Sequence, residues 1–412
     1  MQMLQVPSAT RSVGTPWYDR KRHLWLMGLI APTMPILLAP VYFVGAALGH
    51  PGVLGWLCWT GPFLMHVVIP LLDWRVGVDG RNPPEDVIAE LEDDPHYRWC
   101  IYAYIPFQYV TVVVSAYLFT AADLAWIGHP GPLGWPAKLG LAISVGILGG
   151  LAINTAHELG HKREDLERRL ARITLAQTFY GHFYVEHNRG HHVRVATPED
   201  PASARFGESL WAFWLRSIVG GVRSSWRLEA ARLRRDGVPV LSRHNDVLTC
   251  WLMSVIFWAV LVAAFGPGLL PLVLIQAWCG VTLLEAVNYT EHYGLLRRRL
   301  PSGRYERCAP EHSWNSDHLV TNLLLYHLQR HSDHHANPMR RYQTLRTFDE
   351  APNLPSGYAA MVTLAYLPPL WRKVMDHRVL AHYDGDITRV NIDPRKRAAV
   401  LARHGRRAEP AR

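Results

Sequence analysis

Cysteine is scarce in this chain of 412 residues: five in all, at Cys58, Cys100, Cys250, Cys279 and Cys308, with no Cys-x-x-Cys pair. That scatter excludes a disulfide framework and a thiolate metal site. It also excludes an iron site built from four cysteines, so a redox donor of that kind has to be a separate protein. No repeat of fixed period runs through the sequence, which removes solenoid and propeller architectures. A further scarcity is local: Lys and Arg are absent or nearly so from three of the short connections between apolar blocks, where only Lys138 occurs.

The apolar residues come in long blocks, at roughly 24–48, 53–72, 102–124, 138–157, 246–265 and 268–290, each near the length that crosses a bilayer. A mean hydropathy of −0.02 averages these blocks with long charged segments. Sixteen tryptophans and seventeen tyrosines suit the membrane interface. Arg20, Lys21 and Arg22 precede the first block as in a signal peptide, but its length and its prolines, Pro32, Pro35 and Pro40, favour a kinked span. The expectation is an all-α integral membrane protein of about six spans. Residues 1–23 form an amino-terminal cytoplasmic segment, 24–390 a membrane-embedded unit and 391–412 a loose basic tail.

Positive charge gathers in the remaining loops: Arg75, Arg81 and Arg98, then Lys162 to Arg243, then Arg297 onward. The positive-inside rule places these loops and both termini in the cytoplasm. Residues 208–235, with Trp211, Trp214, Leu215, Ile218 and Trp226 among arginines, read as an interfacial amphipathic helix. This topology leaves nucleic acid out as a partner and membrane lipid in.

On the same cytoplasmic side lie four histidine clusters: HELGHK at 157–162, EHNRGHH at 186–192, NYTEHYG at 288–294 and RHSDHH at 330–335. They supply His157, His161, His187, His191, His192, His292, His331, His334 and His335. One first-row metal has about six coordination positions, some of which catalysis needs open, so nine imidazoles argue for two metals. The i,i+4 spacings of His157 with His161 and of His187 with His191 stack each pair on one helix face as a chelate. Alone, HELGH matches the zinc-protease motif with its Glu as base. A zinc site needs three protein ligands, which leaves the other clusters without purpose.

Neutral imidazoles leave metal charge to be compensated nearby, for which Glu158, Glu186, Asp200, Glu291 and Asp333 are candidates; His182, one turn before Glu186, His327, one turn before His331, Glu285, on the helix face of His292, and His312 are further candidates to orient a ligand.

The four clusters resemble the histidine boxes of the integral-membrane non-haem di-iron family, which includes alkane hydroxylases, xylene monooxygenases and fatty-acid desaturases. NYTEHYGLLR at 288–297, HSWNSDH at 312–318 and LQRHSDHHANPMRRYQTL at 328–345 make the resemblance strongest to alkane 1-monooxygenases, supported by NPPEDV at 82–87, GHFYVEHNRGHH at 181–192 and ATPEDPAS at 196–203. The resemblance implies two iron ions, O2, an alkane hydroxylated at its terminal methyl, and electrons from rubredoxin and a separate rubredoxin reductase. Within the same family it leaves open a desaturase, or a hydroxylase of fatty acyl or alkylaromatic groups. Trp56, Trp59, Met65 and His66 are expected to wall the substrate channel, and Arg297, Arg298, Arg299, Arg340 and Arg341 to dock rubredoxin. The location implied is the inner (plasma) membrane.

Overall fold

The computed structural model describes residues 17–405 and is helical throughout, with only isolated β-bridges among them. In chain order the elements that matter for the site are α1 (Met34–Ala47), α2 (Tyr104–Thr120), α3 (Trp135–Gly160), α4 (Leu210–Arg235), α5 (Asp246–Phe265), α6 (Leu270–His292) and the short α7 (His331–Ala336). Their connections between α6 and residue 393 fold over one end of the bundle as a cap.

Four helical stretches have the length and hydropathy to cross a bilayer: Pro95–Thr120, Trp135–Gly160, Asp246–Phe265 and Pro267–His292. The first two expected spans are shorter or broken. The block at 24–48 is a 3₁₀ turn, Leu24–Leu29, followed by the 14-residue α1. Pro32 and Pro35 withhold backbone donors there, and the Thr111 hydroxyl donates to the Pro32 carbonyl at 2.5 Å. The block at 53–72 runs as Val53–Leu57, Thr60–Phe63, a π turn at Leu64–Val68 and Ile69–Val76. Pro62 and Pro70 fall within this stretch, which accounts for its interruption.

α3 is the central helix, 72% buried over its apolar window, whereas α5 is 28% buried and faces outward. α3 packs most extensively on α6. Small residues allow it: a Cβ at Gly146 would lie 2.4 Å from the Cβ of Cys279 and 2.9 Å from the Gln276 carbonyl, and one at Gly150 would lie 2.7 Å from Leu283. Where lipid is as apolar as the side chains, backbone proximity of this kind is what holds two helices together. Its consequence is positional, because α3 ends on the 157–161 cluster and α6 ends on His292, at the same end of the bundle.

The flanks are more ordered than expected. Trp25 is fully buried, Arg22 pairs with Asp94, and Lys21 lies 3.3 Å from Asp79, so the segment around residues 19–29 is part of the packed unit. Asp393 caps a short turn that leads into the helix Arg397–His404, whose Val400 and Leu401 pack on the core in place of the expected loose tail. Residues 1–16 and 406–412, which complete the two expected flanks, lie outside the described residues.

Gly146→Ala is expected to destabilise the protein by about 1–3 kcal/mol, because its Cβ meets backbone as well as Cys279. The check is a lowered thermal midpoint in detergent, with Gly268→Ala, where a Cβ meets nothing within 4 Å, unchanged.

Candidate metal centre

The nine histidines converge, but not as the linear spacings suggest. They form two groups whose nitrogens lie within 4.8 Å of one another: His157, His161, His187, His192 and His334 in one, His191, His292, His331 and His335 in the other. The HELGH pair stays together at the end of α3. The EHNRGHH box is divided, because His187–His191 is a π turn rather than an α turn. An i→i+5 repeat puts His187 and His192 on one side, their Nε2 atoms 3.0 Å apart, and turns His191 toward His292 and His335. The expected His187–His191 chelate is therefore replaced by His187–His192. On α7, His331 and His335 keep the i,i+4 face with Nε2 atoms 2.9 Å apart, while His334 faces the other group at 2.8 Å from His157 and 3.0 Å from His192.

These contacts fit a metal and little else. A neutral imidazole carries one N–H, so a cluster of Nε2 atoms about 3 Å apart cannot satisfy itself by mutual hydrogen bonds. Imidazole ligands at about 2.0–2.1 Å from one cation, set at right angles, lie at this separation from each other. The Nε2 atoms of His161, His191 and His292 are buried with no hydrogen-bond partner. Burial also pushes the imidazoles of His187, His331, His334 and His335 well below their ordinary range, which keeps their lone pairs available.

Two carboxylates touch the histidine set. Asp200 accepts from His191 Nδ1 at 2.9 Å and from the Ser203 hydroxyl at 2.6 Å, which orients the ring with Nε2 toward its group. Burial raises the Asp200 carboxyl, but attraction to the His191 ring and these two hydrogen bonds outweigh it and hold the group at about 2. Glu291 lies 3.2 Å from His331 Nε2.

The other orienting candidates sit apart from the ligand nitrogens. Glu158 turns away to Lys162 at 2.8 Å and to the Tyr342 amide, so it is not placed as the base of a protease site. His182, Glu186 and Glu285 line a small cavity behind His187 and His191; Glu186 pairs with Arg194 and Glu285 accepts from Tyr180 at 2.5 Å. His312 accepts from the Ala309 amide through Nδ1 and faces Glu306 through Nε2. His327 is taken up by the Tyr342 carbonyl and Lys21, with its ring edge-on to Trp25. Asp333 points off the back of α7 to Arg340, Asn337 and the Arg346 amide.

An apolar cavity of about 700 Å³ runs between α1, the 53–76 segment, α2, α3 and α6 and ends on His157, His187, His331 and Glu291. Of the expected channel residues only Met65 lines it. Trp56 faces outward at 80% exposure, Trp59 packs on Gly140 above a separate outer groove, and His66 turns to the Thr363 hydroxyl at 2.8 Å. The cause is rotation of the broken helix: the face that carries Leu54, Leu57, Gly61 and Met65 looks inward, and the other three residues lie off it.

The arginines expected to dock a partner divide as well. Arg297 is buried and donates to the carbonyls of Val193, Val195 and Glu306. Arg340 pairs with Asp333, and Arg341 with Glu164 and Glu167. Arg298, paired with Glu306, and Arg299 are exposed.

One functional residue escaped the sequence reading altogether. Arg330 is fully buried and precedes the first ligand of α7; its guanidinium donates to Asp317, to the Asn82 side chain and to the carbonyls of Asp79, Arg81 and Leu345. A six-residue helix cannot hold its own orientation. Arg330, with the Ser332–Asn315 contact, supplies it. Three of its partners, Asp79, Arg81 and Asn82, are some 250 positions away in the chain, and nothing local marks them.

The chain matches the fatty acid desaturase family over residues 133–365. It is 44% identical over 405 residues to an alkane 1-monooxygenase of Acinetobacter baylyi, covering 97% of this chain and 95% of that protein. It is also 44% identical over 394 residues to alkane 1-monooxygenase 1 of Alcanivorax borkumensis, covering 95% and 93%. A xylene/toluene monooxygenase hydroxylase component of Pseudomonas putida is 27% identical over 248 residues, 60% of this chain and 65% of that protein.

His161→Ala and His292→Ala each remove one nitrogen from a different group, and each is expected to lower metal content by up to half, as measured by elemental analysis of the purified protein. Arg330→Lys keeps the charge but provides three donors where five are used. It is expected to lose metal from both groups, because α7 feeds both; full metal content in this variant would remove the orienting role.

Proposed function

The chain belongs to the alkane 1-monooxygenase family of membrane oxidoreductases, and from that premise we propose that it hydroxylates n-alkanes at the terminal methyl with O2, at a di-iron centre held by the nine histidines. One observation carries the reading: an almost wholly apolar cavity, within the size range of small-molecule sites, closes on the imidazoles of both groups. Its far end reaches Phe43 and Trp126, both more than half exposed and near the opposite end of α3 from His157. Alkanes dissolve in a bilayer, so a cavity open there admits them without passage through water.

A pair of iron ions, when bound, supplies the activation of O2 and the cleavage of the C–H bond. The balanced reaction takes an alkane, O2, two electrons and two protons to a 1-alkanol and water. The chain decides which carbon arrives. Leu57, Met65, Leu148 and Leu151 give an alkane a mostly apolar wall along its length, so orientation comes from shape, with the end of the chain at the closed, histidine-lined end. Hydroxyls of Thr60, Thr111, Ser115 and Ser144 occur along the walls, while the amide and carboxylate side chains, Asn154, Asn288 and Glu291, gather with the histidines. A charged head group in the apolar section would pay the desolvation cost of an unpaired ion, which disfavours free fatty acids entering head first.

The remaining parts of the proposal are the setting. The unit 24–390 sits in the inner (plasma) membrane, multi-pass, with the metal centre and both termini at the cytoplasmic face, as the arginine-rich loops favour. Rubredoxin with a separate rubredoxin reductase supplies the electrons, in keeping with a chain that has no cysteine cluster of its own.

Purified protein with about two irons, rubredoxin, its reductase, NADH, octane and ¹⁸O2 is expected to give labelled 1-octanol. Turnover of an acyl chain with no octanol formed would transfer the reading to a desaturase or acyl hydroxylase. Met65→Trp is expected to lower kcat/KM for hexadecane relative to octane about tenfold or more, since overpacking of this size costs about 1–3 kcal/mol, with iron content unaffected.

A further inference from the structure

We propose that the electron donor docks on the face where His161 and His192 reach the surface, and that this face is built for a small acidic one-electron carrier. The inference rests on the monooxygenase reading, in which two electrons per turnover come from another molecule.

Seven of the nine histidines are buried; His161 and His192 alone are partly exposed, and both belong to the five-histidine group. The alkane cavity touches His157, His187 and His331 and neither of these two. The centre thus has two approaches, one apolar and one from solvent. A donor seated over His161 and His192 has no side chain between itself and a ligand ring.

The surroundings fit a protein partner. Val193, 65% exposed, follows His192, and Met339, 43% exposed, follows α7 by three residues; the Arg340 carbonyl, one residue on, accepts from Lys162 beside His161. Arg163 is exposed on the same edge. Arg189, one turn before His192 and Val193, pairs with Glu229 and with Asp246, and Arg340 pairs with Asp333. Glu229 and Asp333 are fully buried, and in all three pairs the guanidinium is the more exposed end. The exposed Glu164 and Asp165 beside Arg163 are paired with Arg341 and Arg168. The guanidinium ends at Arg189, Arg340 and Arg163 therefore present positive charge around an apolar centre of two side chains. Apolar centre and charged rim are the usual plan of a protein interface, and the sign selects an acidic partner.

The competing basic surface is the hairpin that carries Arg298, Arg299, Arg304 and Arg307, joined by the bridge between Arg299 and Tyr305. Buried His312 and Trp314 underlie the chain that returns from it, so a donor there meets protein before ligand. It serves as the control.

The test titrates rubredoxin, with its reductase and NADH, against octane hydroxylation in nanodiscs of neutral lipid. Arg163→Glu combined with Met339→Glu is expected to raise KM for rubredoxin about tenfold or more, with KM for octane and iron content within twofold of the parent. Arg298→Glu combined with Arg299→Glu is expected to leave KM for rubredoxin unchanged. An unchanged rubredoxin KM in the first variant, a rise confined to the hairpin variant, or an effect seen only in vesicles of anionic lipid would overturn the docking face while the functional reading stands. Failure of the parent protein to form octanol with either rubredoxin or dithionite as reductant would overturn the functional reading, and this inference with it.

Discussion

The close approach of α3 and α6 over Gly146 and Gly150 is the constraint on which the rest of the structure depends. Apolar side chains gain nothing from each other that lipid does not also offer, so helices in a membrane are held by backbone proximity and by buried polar contacts. Both devices occur here. Beside the glycines, Gln177 accepts from Gln108 through its side chain and from Gln276 and Trp258 through its carbonyl, which ties the surrounding helices to one interior residue. The two helices then end level with one another, and the histidines at their ends become neighbours.

From that platform the centre is completed by segments that have little stability of their own. The Phe183–Arg194 stretch is helical through a π turn, and Gly190 in its middle leaves room for the Glu186–Arg194 pair to cross it: a Cβ there would lie 2.6 Å from both side chains. α7 is six residues long and is held by Arg330, Asn315 and the contacts of Asp333. Buried charges of this kind stabilise little in net terms, yet removal of one partner leaves the other uncompensated. Their use here is orientation, and the same contacts explain why Glu158 and Asp333, adjacent in sequence to ligands, face away from them.

The two sides of the centre differ in character because the protein meets two solvents. Toward the bilayer the walls are apolar and the histidines are fully enclosed. Toward the cap, Arg189 and Arg340 are paired with buried Glu229 and Asp333, and two imidazoles, His161 and His192, are partly exposed. In the proposed reaction, with the alkane entering from lipid and electrons from the aqueous side, this division keeps the apolar cavity from opening to water.

Much of this was legible in the order of residues. Chemical identity is local, so the clustering of the nine histidines, the apolar blocks and the helical class could be read directly; the Asp200 carboxylate lies on His191 and Met65 lines the apolar cavity. What depended on rotation or on distant partners could not. Whether His191 or His192 joins His187 is decided by a π turn, which spacing counted at i,i+4 does not anticipate. Whether Met65 or Trp59 faces the cavity is decided by how a proline-broken helix is turned, and whether Arg297 is a surface cation or a buried clamp is decided by carbonyls about a hundred residues away. The sequence by itself determined which atoms could bind metal and which segments could enter a membrane; the tertiary structure alone decided how nine histidines are shared between two groups and which of them meet the apolar cavity or the surface, because those are properties of side-chain direction, set by packing rather than by composition.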